Sequence, residues 1–152
     1  MSDVSSADRA EDRVRHIAIV DAVIDVAKLM AHVESPSVGA ISLFVGTVRH
    51  HNDGRQVTGI DYEAYQPMAE HQLRAVAIEA CEALPGLSVA IEHRIGTLVV
   101  GDASVVIAAA HARRAPALAG AQRIIEVLKQ RVPIWKREHY VDGERRWVDP
   151  TS

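Results

Sequence analysis

Two of the three lysines in this chain, Lys129 and Lys136, stand seven residues apart in the segment LKQRVPIWKRE (residues 128–138), beside Arg131 and Arg137. Elsewhere the chain uses arginine almost throughout, fourteen against three. An ammonium can lose its proton when it is desolvated or crowded by like charge, whereas a guanidinium practically cannot. Lysine placed twice in one segment of an arginine-using protein points to an amine that reacts or gives up a proton. The competing explanation is a pair of solvated lysines at a helix end, where cations favour the dipole. Composition alone leaves that the simpler one.

Two further clusters could act on an anion. In Gly46-Thr47-Val48-Arg49, at the end of a hydrophobic strand, Arg49 could grip a phosphate or carboxylate bidentately, helped by the backbone donors of Thr47 and Val48 beside the glycine. The adjacent His50 and His51 would point to opposite faces of a strand and lack spaced partners, so no metal site is expected. In His111-Ala112-Arg113-Arg114, two arginines precede a helix N-terminus, where free N–H groups already favour an anion. Salt-screened surface arginines compete with that reading. Trp135 reads as a core anchor, with a stacking wall for a planar ligand as the alternative. Cys81, among Val76, Ala77, Ile78, Ala80 and Leu84, reads as a buried, inert thiol. His93 and His111 sit at strand ends, where a titrating and a structural role are equally open.

The bulk numbers exclude several classes. With 152 residues, 48% hydrophobic and 24% charged, the chain fits one ordinary globular domain. No apolar run approaches the about 20 residues that cross a bilayer. Residues 1–110 carry a net charge of −7 and residues 111–152 a net of +4. An acidic body with a basic C-terminal third suggests a local anion site rather than a nucleic-acid surface. The pI near 6.2 and 4% aromatic content also argue against an RNA-binding domain. One cysteine allows no intrachain disulfide and favours a cytoplasmic setting. The polar residues 1–14 read as a disordered lead-in, neither signal nor transit peptide, ahead of a single domain over 15–152.

The elements that must position these groups follow from periodicity. Residues 16–21 form a short strand and 22–34 carry apolar residues at helical spacing up to Ser35-Pro36. Residues 39–50 read as a largely buried strand, with a bulge or close ligand approach at Gly46. An Asp53-Gly54 turn leads to a strand over 57–65, and Pro67 opens a long helix to about 84. Strands over 87–93 and 103–110 are joined by RIGTLVVGD, whose glycines mark turns or bulges. A helix over 115–131 puts Leu118, Ala121, Ile125, Leu128 and Val132 on one stripe, with Lys129 at its polar edge. Val132-Pro133 stops it, and 135–141 with 145–148 form a terminal hairpin. Strands and helices mix without regular alternation, so the fold class is α+β.

The segments GTVRHHNDG, YEAYQPMAE, HRIGTLVVGD and LKQRVPIWKRE, in this order, closely resemble the large, catalytic subunit family of molybdopterin synthase. The resemblance runs from about residue 39 to 148. It implies an α/β hammerhead-type fold with mixed or antiparallel sheet, helices packed on it and a C-terminal β-hairpin. It implies a sulfurtransferase of molybdenum-cofactor biosynthesis, converting cyclic pyranopterin monophosphate to the molybdopterin dithiolene. The sulfur donor would be the thiocarboxylated Gly-Gly tail of a small ubiquitin-like subunit, within a heterotetramer built on a homodimer, and no metal or organic cofactor would take part. Functional positions carry over onto Arg49, Lys129, Lys136, Arg137 and Glu138, with Lys129 toward the partner's tail and Lys136 toward the pterin. Where the family has His-Arg before the helix, this chain has Arg113-Arg114. A guanidinium cannot serve as an acid or base near neutral pH, so a phosphate-gripping role is kept there. The alternative is a non-catalytic module that captures a Gly-Gly tail, though tail capture alone would tolerate arginine in place of either lysine.

Overall fold

The computed structural model describes residues 9–148. Eight residues of the expected lead-in lie outside that range. Its last part is not a lead-in: a turn of helix α1 (Ala10–Arg13) precedes strand β1 (Val14–Val20), whose Val14 is buried.

Two sheets carry the fold. The first has β1 beside β5 (Ser88–Arg94), then β7 (Ala103–His111), then β2 (Ala40–Thr47) at the edge. β1 and β5 are parallel and the other pairs antiparallel, so the sheet is mixed. β7 is buried on both faces, and its alternation divides the core in two. Val105, Ile107 and Ala109 pack into the larger cluster, with residues of helices α3 (Gln66–Ala83) and α4 (Arg114–Arg131). Val106, Ala108 and Ala110 meet Leu29 and Val33 on the other side, around helix α2 (Val26–Ala31).

The second sheet joins β3 (His51–Asn52), β4 (Arg55–Ala64), β8 (Ile134–Tyr140) and β9 (Arg145–Val148), with β6 (Gly96–Val99) also on β4. The hairpin of β3 and β4 turns at Asp53 and Gly54, both at positive φ, as an Asp-Gly turn requires. The C-terminal hairpin of β8 and β9 is present as expected, and the class is α+β with a mixed and an antiparallel sheet.

Four expectations need correction. The 22–34 helix shortens to α2 because Asp25 caps it, its Oδ1 accepting from the Lys28 N–H at 3.1 Å. β2 is an edge strand rather than a largely buried one, with Leu43 and Val45 each 41% exposed. RIGTLVVGD contains a strand, β6, whose Leu98 is fully buried. On α4 the buried stripe is Ala117, Gly120, Ala121, Ile124 and Leu128, and Leu118 faces out. Small residues set that face: a Cβ on Gly120 would sit 2.7 Å from a Leu87 methyl, so glycine lets the helix settle onto Leu87.

Candidate active site

The C-terminal end of α4 brings Lys129 to the mouth of a pocket of about 410 Å³. The Val132 N–H still bonds the Leu128 carbonyl at 3.0 Å, but Pro133 has no N–H to continue the helix, and the chain turns into β8. Strand alternation then decides which side chains face the pocket. Ile134, Lys136 and Glu138 line it together with Lys129, Arg49 and Thr47. The reversal at Val132-Pro133 thus converts a seven-residue spacing into two lysines on one cavity.

Arg137 faces the other way. Its Nε and Nη2 donate to Asp61 Oδ2 at 3.1 and 2.7 Å, and its guanidinium lies 5.2 Å from the Trp147 ring centre. The Thr97 hydroxyl donates to Asp61 Oδ1 at 2.7 Å, and His139 Nε2 lies 2.8 Å from Oδ2, off the line of a good hydrogen bond. Burial alone would raise the Asp61 carboxyl; the contacts from His139, Arg137 and Thr97 outweigh it and hold the group at about 2. The expected substrate role for Arg137 therefore gives way to an ion pair on the sheet's opposite face. Trp135 shares that face and is 49% exposed, so it is neither core anchor nor pocket wall.

Arg49 is held by a relay that residue types alone did not reveal. Its Nη2 donates to Asn52 Oδ1 at 3.0 Å, and Asn52 Nδ2 donates to both oxygens of Glu138 at 3.1 and 3.0 Å. Glu138 is 3% exposed and also accepts from the Tyr140 hydroxyl at 3.0 Å. Buried carboxylates are costly unless so satisfied. Glu138 thereby orients Arg49 through an amide, and Asn52 joins the site.

Val48 does not face the pocket. Its side chain packs with Val57, Ile60 and Leu98, its N–H bonds the Asp102 carbonyl, and its carbonyl accepts from Gly101. Val48 therefore offers no backbone donor to an anion. Gly46 does line the cavity and a bulge follows it, since the β2–β7 register shifts between Gly46 and Thr47. A Cβ there would lie 2.8 Å from a Val105 methyl.

Arg113 and Arg114 lie at the opposite end of α4, about 22 Å from Lys129 at 1.5 Å per residue. The chain's own fold does not bring them to this pocket, and neither makes an ion pair among the described residues. His111, just before them, is buried and fully engaged: Nε2 donates to the Pro85 carbonyl at 3.0 Å and Nδ1 accepts from the Arg113 N–H at 3.0 Å. Its role is structural.

The floor holds residues whose role the sequence left open or hid. His93 is 5% exposed and donates from Nδ1 to the Arg94 carbonyl at 2.9 Å. Burial lowers its pKa to about 4, against the opposing effect of that bond, so the ring is neutral at pH 7. Tyr62 meets His93 edge-to-face at 5.3 Å. Burial raises the Tyr62 hydroxyl, with Ser104 opposing and the Glu138 charge adding. Above this floor Lys129 makes no hydrogen bond or ion pair with any described residue, so its ammonium is open to a visiting anion. Cys81 is buried, with burial pushing its thiol up to about 11, as an inert thiol requires. No helix among the described residues is long and apolar enough to cross a membrane.

Known proteins share this arrangement of elements. Residues 19–131 match the family described as MoaE protein. The chain is 42% identical over 139 residues to molybdopterin synthase catalytic subunit 1 of Mycobacterium tuberculosis, covering 91% of this chain and 94% of that one. The crystal structure of molybdopterin synthase from Staphylococcus aureus superposes with a TM-score of 0.83 at 36% identity, over 87% of this chain and 96% of that one. A complex of subunits 1 and 2 of molybdopterin-converting factor from Helicobacter pylori shares the fold, with a TM-score of 0.70 at 21% identity, over 86% and 88% of the two chains.

Proposed function

This chain belongs to the MoaE protein family, the catalytic subunits of molybdopterin synthase, and on that premise we propose how its pocket transfers sulfur. The observation that carries the reading is the convergence of Lys129, Lys136 and the Glu138-oriented Arg49 on one cavity. The substrate is cyclic pyranopterin monophosphate. The sulfur donor is the C-terminal thiocarboxylate of a small ubiquitin-like subunit, whose Gly-Gly tail enters past Lys129. Each transfer forms a carbon–sulfur bond on the pterin side chain as a carbon–oxygen bond at the same carbon breaks, its oxygen leaving protonated or on phosphate. The acyl carbon–sulfur bond is broken by water, which leaves the tail a carboxylate.

Fixed positive charge suits both partners in this step. Lys129, unpaired and at the mouth, polarises the acyl group and supplies a proton as needed. Lys136, half-buried on β8, holds the pterin and steadies negative charge developing on it. Arg49 takes the phosphate, with Thr47 beside it. The reaction needs no metal or organic cofactor in this scheme, and the setting is cytoplasmic.

The assembly is a heterotetramer on a homodimer of this chain, each copy contributing a single domain. Arg113 and Arg114 keep an anion-gripping role by reaching the pocket of the second copy, since the length of α4 separates them from their own.

Reconstitution tests the reading. Mixing the full chain with the thiocarboxylated small subunit and cyclic pyranopterin monophosphate should yield dithiolene product. If the small subunit binds and no product forms at any ratio, the chain is a tail-capturing module instead.

A further inference from the structure

At the mouth of the pocket the ammonium of Lys129 and the guanidinium of Arg49 are donors only. His93 offers the opposite. His93 spends its Nδ1–H on the Arg94 carbonyl, so a neutral ring keeps a bare lone pair on Nε2. Ser104 donates to the Gly46 carbonyl at 3.2 Å. Glu138 is a carboxylate, and Lys136, paired with Tyr62 across β4 and β8, also lines the cavity.

Cations at the mouth and an acceptor at His93 match a ligand that is anionic at one end and carries N–H groups at the other. A reduced pterin carrying a cyclic phosphate has that polarity. We propose that His93 is a positioning residue whose Nε2 accepts a hydrogen bond from an N–H of the pterin ring system, seating the ring on the floor with the phosphate toward Arg49. The proposal rests on the functional reading above and adds an orientation to it. The Tyr62 ring, edge-to-face with His93, holds the imidazole plane in the orientation the bond needs.

Two substitutions separate the ring's two nitrogens. His93→Asn keeps a donor near Nδ1 for the Arg94 carbonyl and loses the acceptor at Nε2. His93→Gln reaches the Nε2 position with an amide oxygen. Calorimetric titration with cyclic pyranopterin monophosphate should show affinity at least tenfold weaker for His93→Asn and substantially recovered for His93→Gln. Titration with inorganic phosphate should be alike in all three proteins.

A second measurement needs no variant to fold differently. In the ¹⁵N spectrum of the histidine-labelled full chain, the pterin should move the His93 Nε2 resonance while phosphate alone leaves it in place. Wild-type pterin binding with an unmoved Nε2, or equal losses in both variants, overturns the positioning role and leaves the sulfur-transfer reading standing. Absence of any pterin binding by the wild type would remove both.

Discussion

Charge placement inside the pocket is decided by single groups whose protonation can be read from their surroundings. His93 is held neutral by burial with a pKa of about 4, against about 6.5 unfolded. Between those values the unfolded chain binds more protons, so acidification from pH 6.5 toward 4 must destabilise the fold. The cost approaches about 3 kcal/mol near pH 4, at 1.36 kcal/mol per unit. Thermal melts of wild type and His93→Gln across this window should converge as pH falls, because the variant lacks that penalty. Asp61 acts lower: its folded pKa of about 2 stabilises the protein above about pH 4 and the contribution fades as pH falls toward 2. Loss of wild-type stability confined to below pH 4 would mean His93 is not the buried neutral base described.

Asn52 makes a separate point at this scale. Removing its amide in Asn52→Ala strands the Glu138 carboxylate without its main donors and frees Arg49 to swing. Pterin-phosphate affinity should fall roughly tenfold, about 1.4 kcal/mol, with the small-subunit affinity unchanged. An unaltered pterin affinity would show that Arg49 needs no such guide.

At the level of elements, α4 both sets the core and delivers Lys129. Gly120→Ala gains about 1 kcal/mol of helix propensity but forces a methyl group against Leu87, which costs 1–3 kcal/mol where the core cannot yield, roughly. The variant should melt a few degrees lower, and Leu87→Val in the same chain should recover part of the loss. A higher melting temperature for Gly120→Ala would mean Leu87 simply rotates away. Much of this element was legible in advance: its span, its stop at Val132-Pro133 and the place of Lys129 at the polar edge of its apolar stripe all follow from local rules. Its buried face was not, because Leu118 outweighs Ala117 and Gly120 on any hydrophobicity scale while the sheet below admits only small residues. Arg137 was misplaced for a different reason. Alternation along β8 already puts residues 136 and 138 on one face and 137 on the other, and resemblance to a motif does not state which face is used. Asn52 was hidden because a turn-forming asparagine in HHNDG has a sufficient local explanation, whereas its partner Glu138 lies 86 residues away.

The whole molecule shows why the two arginine clusters part company. Arg49 joins the lysines because Asn52 on β3, the strand paired with β4, ties it to Glu138 on β8; Arg113 and Arg114 sit a full helix length away. A homodimer resolves this if each copy lends its arginines to the other's pocket. Mixing an inactive Lys129→Ala chain with an inactive Arg113→Ala/Arg114→Ala chain should then restore part of the activity, since mixed dimers contain one intact pocket. No recovery after subunit exchange would place those arginines outside the reaction.

Lys129 is proposed to work on the sulfur donor rather than merely to attract it. Arginine at that position keeps the charge and gives up the capacity to transfer a proton at neutral pH. In a single-turnover reconstitution with the thiocarboxylated small subunit and cyclic pyranopterin monophosphate, Lys129→Arg should bind the small subunit as tightly as wild type and form almost no dithiolene. Dithiolene formed at the wild-type rate by Lys129→Arg would contradict the account.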